Sequence, residues 1–270
     1  FRFDHLGCTG HPLKPTPNLD RLAAESSLFL KHFTNAIPCG PSRATLHTGL
    51  YACNHRSVTN GTPLDRRHTN LALELRKAGI EPLLYGYSDT SVDPRRVHAQ
   101  DPSLDTFESI LPGFKSVIDF NLGYLEGWLD WLEDQGYERP NPSESVFHHS
   151  PEKITQGRFC DEPSFYAAKH SDTAYLTHHT CHTIRNYSNE DWFIHLSILR
   201  PHPPLIAPAP YNRLYNWKEL PLPERSSSRE SDAAMHPLLE LWQQKIDTVD
   251  YFGSQINMLR LCDEDILRAK

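Results

Sequence analysis

The sequence predicts an α/β protein in three layers, with a mostly parallel central sheet and helices on both faces. Two apolar runs of strand length, Leu83 to Tyr87 and Phe193 to Leu199, are separated by segments with helical periodicity. Strands that alternate with helices join in parallel, because the crossover needs the length a helix supplies. The second run closes on Arg200-Pro201, and proline cannot continue a central ladder. In such sheets ligand sites gather at the carboxyl ends of the strands.

Along the chain, Thr16-Pro17-Asn18-Leu19 reads as a helix start, with Thr16 able to cap free N–H groups and Pro17 suited to the first turn. Leu19, Leu22 and Ala23 then share one face. A second helix is expected from Pro41 towards Tyr51. A third runs from Asn70 to a stop at Gly79, with Leu71, Leu75 and Ala78 spaced for burial. Residues 101–191 read as a helical, aromatic-rich insertion covering the core, where Leu125, Trp128 and Leu132 recur at helical spacing. Pro221 to Ser231, rich in Pro, Ser, Arg and Glu, reads as a surface loop.

The 270 residues are 38% hydrophobic and 23% charged, a composition that suits a folded chain and excludes disorder. A formal charge of -7 argues against a nucleic-acid partner, since that binding rests on Lys and Arg neutralising phosphates. No apolar run reaches the roughly eighteen residues of a membrane span, so no membrane partner is expected. The chain starts at Phe1 with neither a Met nor a leader pattern and reads as trimmed. Cysteines at 8, 39, 53, 160, 181 and 262 form no C-x-x-C pair, which points to a reducing, cytoplasmic compartment unless a leader has been removed.

The chemically informative segment is Cys39-Gly40-Pro41-Ser42-Arg43, continued through Leu46 to Gly49. A helix starting near Pro41 turns its positive end towards residue 39, where an anionic nucleophile and a tetrahedral oxyanion would be stabilised. Arg43, one turn on, is placed to neutralise charge at residue 39 with a guanidinium that stays ionised. An isolated cysteine is usually an inert buried thiol. Here it has company in order: Thr16 to Leu22, Asn60-Gly61-Thr62-Pro63-Leu64-Asp65, Gly86-Tyr87, Asp93-Pro94-Arg95 and Arg200-Pro201-His202-Pro203-Pro204.

With these segments the whole chain resembles the sulfatase family of the alkaline phosphatase superfamily, most nearly its phosphonate monoester hydrolases and arylsulfatases. The resemblance implies an alkaline phosphatase-like α/β/α fold, with residues 1–270 the N-terminal part of a catalytic domain. It implies that a formylglycine-generating enzyme oxidises Cys39 to formylglycine. The hydrate of that group attacks a sulfate, phosphonate or phosphate ester with one hydroxyl, and deprotonation of the other expels the bound group. It further implies that Arg43 holds the modified residue, that His202 helps the leaving oxygen depart, and that Asn60 and Tyr87 line the pocket. Asp89 stands where the pattern has Thr. A carboxylate there repels a doubly anionic monoester if it faces the ester; the alternatives are that it points away, pairs with a local base such as Arg95, or serves the fold.

The resemblance also implies one divalent ion, Ca²⁺, Mn²⁺ or Mg²⁺, held by oxygen ligands. The family's ligand pairs fall outside these residues, so only residue 39, through an oxygen of its oxidised form, is assigned to the metal. By itself this piece is expected to be catalytically incomplete. His178, His179 and His182 lack the Glu of H-E-x-x-H and read as ordinary helix histidines, and Asp4 with Arg2 reads as structural. The expected substrate is a small-molecule ester, with a homo-oligomer left open. A non-catalytic relative that binds an anion or a partner is the alternative. Sulfate and phosphonate preferences both stay open, since Gly40 and the Arg200–Pro204 loop lean to phosphonate while Ser42 and Asp89 lean away.

Overall fold

The computed structural model describes residues 2–13, 15–106, 108–148, 161–187, 191–223, 226–245 and 262–269. The chain forms two compact units, one of residues 1–81 and 88–114, the other of residues 82–87 and 115–270.

The first unit contains α1 (Pro17–Ala24), α2 (Cys39–Thr48), α3 (Ala52–His55) and α4 (Leu71–Lys77). Thr16 does not cap α1 as expected. Its hydroxyl instead accepts the Gly7 N–H and donates to Asp20, both at 3.0 Å, and Asp20 also accepts the Cys8 N–H at 2.7 Å. These polar groups hold the preceding turn, which leaves Thr16 no oxygen for the helix. Leu19 and Leu22 on the expected apolar face are exposed. The cap of α4 is the expected one. Asn70 accepts the Leu73 N–H at 3.0 Å and also donates to Pro112 O at 3.0 Å.

The second unit is built on β1 (Pro82–Gly86), β2 (Lys115–Asp119) and β3 (Phe193–Leu196), ordered β2-β1-β3 with both pairs parallel. Leu84 lies opposite Ser116 on one side and His195 on the other. Every residue of β1 is buried, as a central strand requires. β2 falls inside the stretch expected to be helical. Among the described residues it is an outer, mostly exposed strand of the sheet, and its Lys, Ser and Asp leave no apolar run to announce it. The third strand stops at Leu196 rather than Leu199, although Ser197 N–H still reaches Tyr85 O at 2.8 Å. Gly86 has φ +99, and a Cβ there would stand 2.3 Å from Ser197 O, so only glycine fits.

Helices α5 (Glu126–Asp134) and α6 (Asp172–Asn186) belong with this sheet, followed by α7 (Arg229–Met235), α8 (Pro237–Lys245) and α9 (Asp263–Ala269). The helical spacing of Leu125, Trp128 and Leu132 is used as expected. All three are buried with Leu83, Tyr85 and Phe120 in one apolar cluster. The expected loop from Pro221 to Ser231 holds over the described residues up to Ser228, and its last three residues open α7, which Ser228 caps by accepting the Ser231 N–H at 3.2 Å; residues 224 and 225 lie outside the described residues. No described helix is long and apolar enough to cross a membrane.

Candidate active site

Helix α2 begins at Cys39 itself, not at Pro41, and closes on Gly49 in the left-handed conformation at φ +70. As the first helical residue, Cys39 is exposed. The open helix end expected behind it is largely occupied. Gly40 N–H donates to Asn60 Oδ1 at 2.8 Å, Ser42 N–H donates to Pro38 O at 3.1 Å, and Pro41 has no N–H. Side chains rather than free helix N–H groups therefore make up most of the polar surroundings of residue 39. Asn60 supplies one of them, with Nδ2 3.8 Å from Cys39 Sγ. A Cβ on Gly40 would come within 3.2 Å of Asn60 Oδ1 and 3.4 Å of its Cα, so residue 40 must be small for this contact to form.

Local hydrogen bonds fix both partners. Ser57 Oγ donates to Thr62 O and Thr62 N–H donates to Thr59 O, each at 3.0 Å, which sets the turn carrying Asn60. On the other side, His55 Nδ1 accepts the Ser57 N–H at 3.0 Å, so its Nε2 carries the proton and donates to Thr45 Oγ1 at 3.0 Å. Thr45 in turn donates to Asn35 at 2.9 Å. Burial holds the His55 pKa below its ordinary value, with His68 adding to the effect, which favours the neutral ring this chain of bonds uses. Nothing in the sequence singled out His55, Thr45 or Asn35, since their meeting depends on how α2 and α3 pack.

Arg43 Nε lies 3.6 Å from Asp89 Oδ2, and Asp89 is buried. The local base that Asp89 meets is Arg43, whereas Arg95 is held by two other carboxylates. Arg95 forks onto Asp93 at 2.8 and 2.7 Å and reaches Asp65 at 3.0 Å. That guanidinium, helped by the Arg95 and Arg66 amides, holds the Asp93 carboxyl well below the usual carboxylate range. The Asp65 and Asp93-Pro94-Arg95 segments thus form one clasp. Asp89 itself has φ +52, a left-handed conformation that costs a non-glycine residue about 1 kcal/mol and persists only where its surroundings hold it.

Cys39, Arg43, Asn60 and Asp89 are therefore brought together within the first unit. Tyr87 and His202 belong to the second unit, where they follow the carboxyl ends of the parallel strands β1 and β3. Tyr87 is buried in the apolar cluster. His202 is half-buried, with Nδ1 2.6 Å from Pro203 O; a carbonyl can only accept, so Nδ1 carries the proton.

Arg2 grips Asp4 through two bonds of 2.9 and 2.7 Å, which fits a structural pair. His178, His179 and His182 lie on α6. Among the described residues no three His, Cys, Asp or Glu side chains converge on a metal position. The described residues do not by themselves make up a site for the divalent ion.

Site and fold define a class: an α/β protein that presents an exposed cysteine at the start of a helix, with a carboxamide at its side chain and a guanidinium paired to a buried carboxylate one turn along. The chain belongs to the sulfatase family, whose model, described as Sulfatase, matches residues 1–264. It is 39% identical over 257 residues to the multifunctional alkaline phosphatase superfamily protein PehA of Trinickia caryophylli, a match covering 95% of this chain and 50% of that protein. It is 26% identical over 235 residues to an arylsulfatase of Clostridium perfringens (strain 13 / Type A), covering 83% and 46%. The solved phosphonate monoester hydrolase of Agrobacterium radiobacter is similar at a TM-score of 0.86 and 37% identity, over 100% of this chain and 53% of that one. The chain thus spans about half the length of these relatives.

Proposed function

We propose that the protein hydrolyses sulfate esters or phosphonate and phosphate esters, with residue 39 as the attacking position. The observation that carries this reading is the setting of Cys39, exposed on the first turn of α2 with Asn60 at its side chain and Arg43 one turn along. As formylglycine hydrate, residue 39 supplies an attacking oxygen and a second hydroxyl whose deprotonation releases the transferred group. Asn60, fixed by the Gly40 amide, orients residue 39 and donates its second amide hydrogen to a substrate oxygen. Arg43 offsets developing negative charge, with Asp89 limiting how much. His202 protonates the leaving oxygen as the imidazolium, in which Nδ1–H stays on Pro203 O and the proton given up is the one on Nε2. Family resemblance alone gives Tyr87 a place among the substrate-binding residues. Family membership alone brings in a divalent ion, and Ca²⁺, Mn²⁺ or Mg²⁺ suits the oxygen ligands the family uses.

Intact mass tests the first step. In protein isolated from its own source, conversion of Cys39 to formylglycine lowers the mass by roughly eighteen daltons, as atomic composition requires for this covalent change. A hydrazide reagent should then label residue 39. An unmodified thiol in every molecule defeats the proposal and leaves a non-catalytic relative.

Asp89 sets the expected selectivity. A buried carboxylate beside Arg43 disfavours dianionic phosphate monoesters over singly charged sulfate monoesters and phosphonate monoesters. Asp89→Thr should shift the ratio of kcat/KM for matched aryl phosphate and aryl sulfate towards phosphate by about fivefold, or on the order of 1 kcal/mol. The comparison is made at a pH where the phosphate is a dianion. An unchanged ratio means that Asp89 holds Arg43 and does nothing to the substrate.

A further inference from the structure

We propose that Arg200 and Asp172 are positioning residues that fix the imidazole of His202 for proton transfer. Arg200 Nη1 donates to His202 O at 3.1 Å and to Pro204 O at 2.7 Å, so one guanidinium nitrogen spans the loop on both sides of Pro203. The same group is anchored away from the loop. Its Nε lies 3.3 Å from Asp172 Oδ2, and its Cζ stands 4.5 Å over the centre of the Phe147 ring, which belongs to the buried apolar cluster.

Asp172 is itself held firmly. It is the first residue of α6, where the helix dipole favours negative charge, and its Oδ1 accepts the Thr173 N–H at 2.8 Å. Ser171 caps the same turn by accepting the Ala174 N–H at 3.1 Å. The nearby Tyr166 phenol is pushed up to about 12, chiefly by burial, so it stays neutral and Asp172 supplies the negative charge that Arg200 meets.

The chain of contacts runs from the core to the acid. Phe147 and α6 fix Arg200, Arg200 fixes the carbonyls of residues 202 and 204, and the backbone so fixed presents Pro203 O to His202 Nδ1. His202 N–H is tied at the other end to Leu199 O at 3.0 Å. Burying a paired cation is seldom the most stabilising use of such a position, since an apolar residue of like volume often does as well. What the pair gives here is geometry: it holds the carbonyl that receives Nδ1–H, so that the proton the imidazolium gives up is the one on Nε2. A lysine keeps the charge but loses the planar fork that reaches a carboxylate and two carbonyls at once.

This inference rests on His202 being the proton donor of the proposed reaction, and the test separates the two. In the complete protein, Arg200→Lys, Asp172→Asn and His202→Gln are compared on aryl sulfates or aryl phosphonates, whichever are turned over, with 4-nitrophenol and phenol as leaving groups. A displaced acid should cost Arg200→Lys and Asp172→Asn about tenfold to a hundredfold in kcat on phenyl esters and little on 4-nitrophenyl esters, which leave unaided. Imidazole nitrogen resonances supply a second readout, with the Nδ1–H signal of His202 shifted or broadened in both variants. Asp172→Asn nearly preserves shape, so a folded variant is available if Arg200→Lys fails to fold. If His202→Gln shows the split between leaving groups while both neighbours lower the two substrates equally and leave the His202 signals in place, the positioning role is overturned and the acid stands. If His202→Gln shows no split, the acid assignment falls and the positioning role falls with it.

Discussion

Cys39→Ala in the complete protein should abolish turnover, by on the order of a thousandfold or more, while leaving the fold standing. The side chain lost is exposed, alanine is a good helix former, and the one contact removed is a long one of 3.8 Å from Asn60 to sulfur. The structural supports of α2 do not pass through residue 39, because Gly40 N–H keeps Asn60 and Thr45 keeps His55. The circular dichroism spectrum and melting temperature should therefore match the parent while hydrolysis disappears. Comparable hydrolysis by the variant removes residue 39 from the chemistry. Cys39→Ser sharpens the point. A serine can attack but lacks a second hydroxyl to expel the transferred group, so it should stop after one turnover as a sulfated or phosphorylated serine. Sustained turnover by Cys39→Ser refutes the need for the second hydroxyl.

The second large effect is on stability. Trp128 is fully buried, with its ring 5.9 Å from Phe120, 5.6 Å from Phe147 and 5.2 Å from Tyr166 between centroids, and its Nε1 donates to His170 O at 3.0 Å. Trp128→Ala leaves a cavity among three aromatic rings and orphans a carbonyl, so a loss of about 3–5 kcal/mol is expected. Chemical denaturation of the complete protein, followed by fluorescence of the remaining tryptophans, measures it. Trp128→Phe should fall between the two, since it keeps most of the apolar contact and gives up the hydrogen bond. A loss below about 1 kcal/mol for the alanine variant would mean that the cluster collapses into the space, and that Trp128 is not the centre of the core.

What the sequence made legible followed from period and punctuation. The spacing of Leu125, Trp128 and Leu132 announced a buried helix face, the apolar runs announced β1 and β3, and Asn70 and Gly79 bracketed α4. β2 was hidden because four of its five residues are exposed and three of them are polar or charged, which leaves no apolar run. Ser228 was lost in a stretch whose Pro and Ser content suggested a loop, although the same serine is a helix cap. In the site, Cys39 and Arg43 one helical turn apart were readable directly. Asn60 reaching back to the Gly40 amide, Asp89 reaching Arg43, and Arg95 joining Asp65 to Asp93 were not, because each links positions far apart in the chain through side-chain geometry.

The strand order β2-β1-β3 also bears on synthesis. The ribosome delivers the middle strand first, then one neighbour, and the other only when Phe193–Leu196 emerges. At about 5–20 residues per second, Leu83 to Tyr85 wait several seconds with one hydrogen-bonding edge unsatisfied and an apolar face open. The nascent chain is then a template for strands from other chains, and this is the interval in which a holding chaperone would raise yield most. Codon changes that slow translation between residues 120 and 190 should lengthen the wait and increase the insoluble fraction, whereas the same changes placed after residue 200 should have little effect.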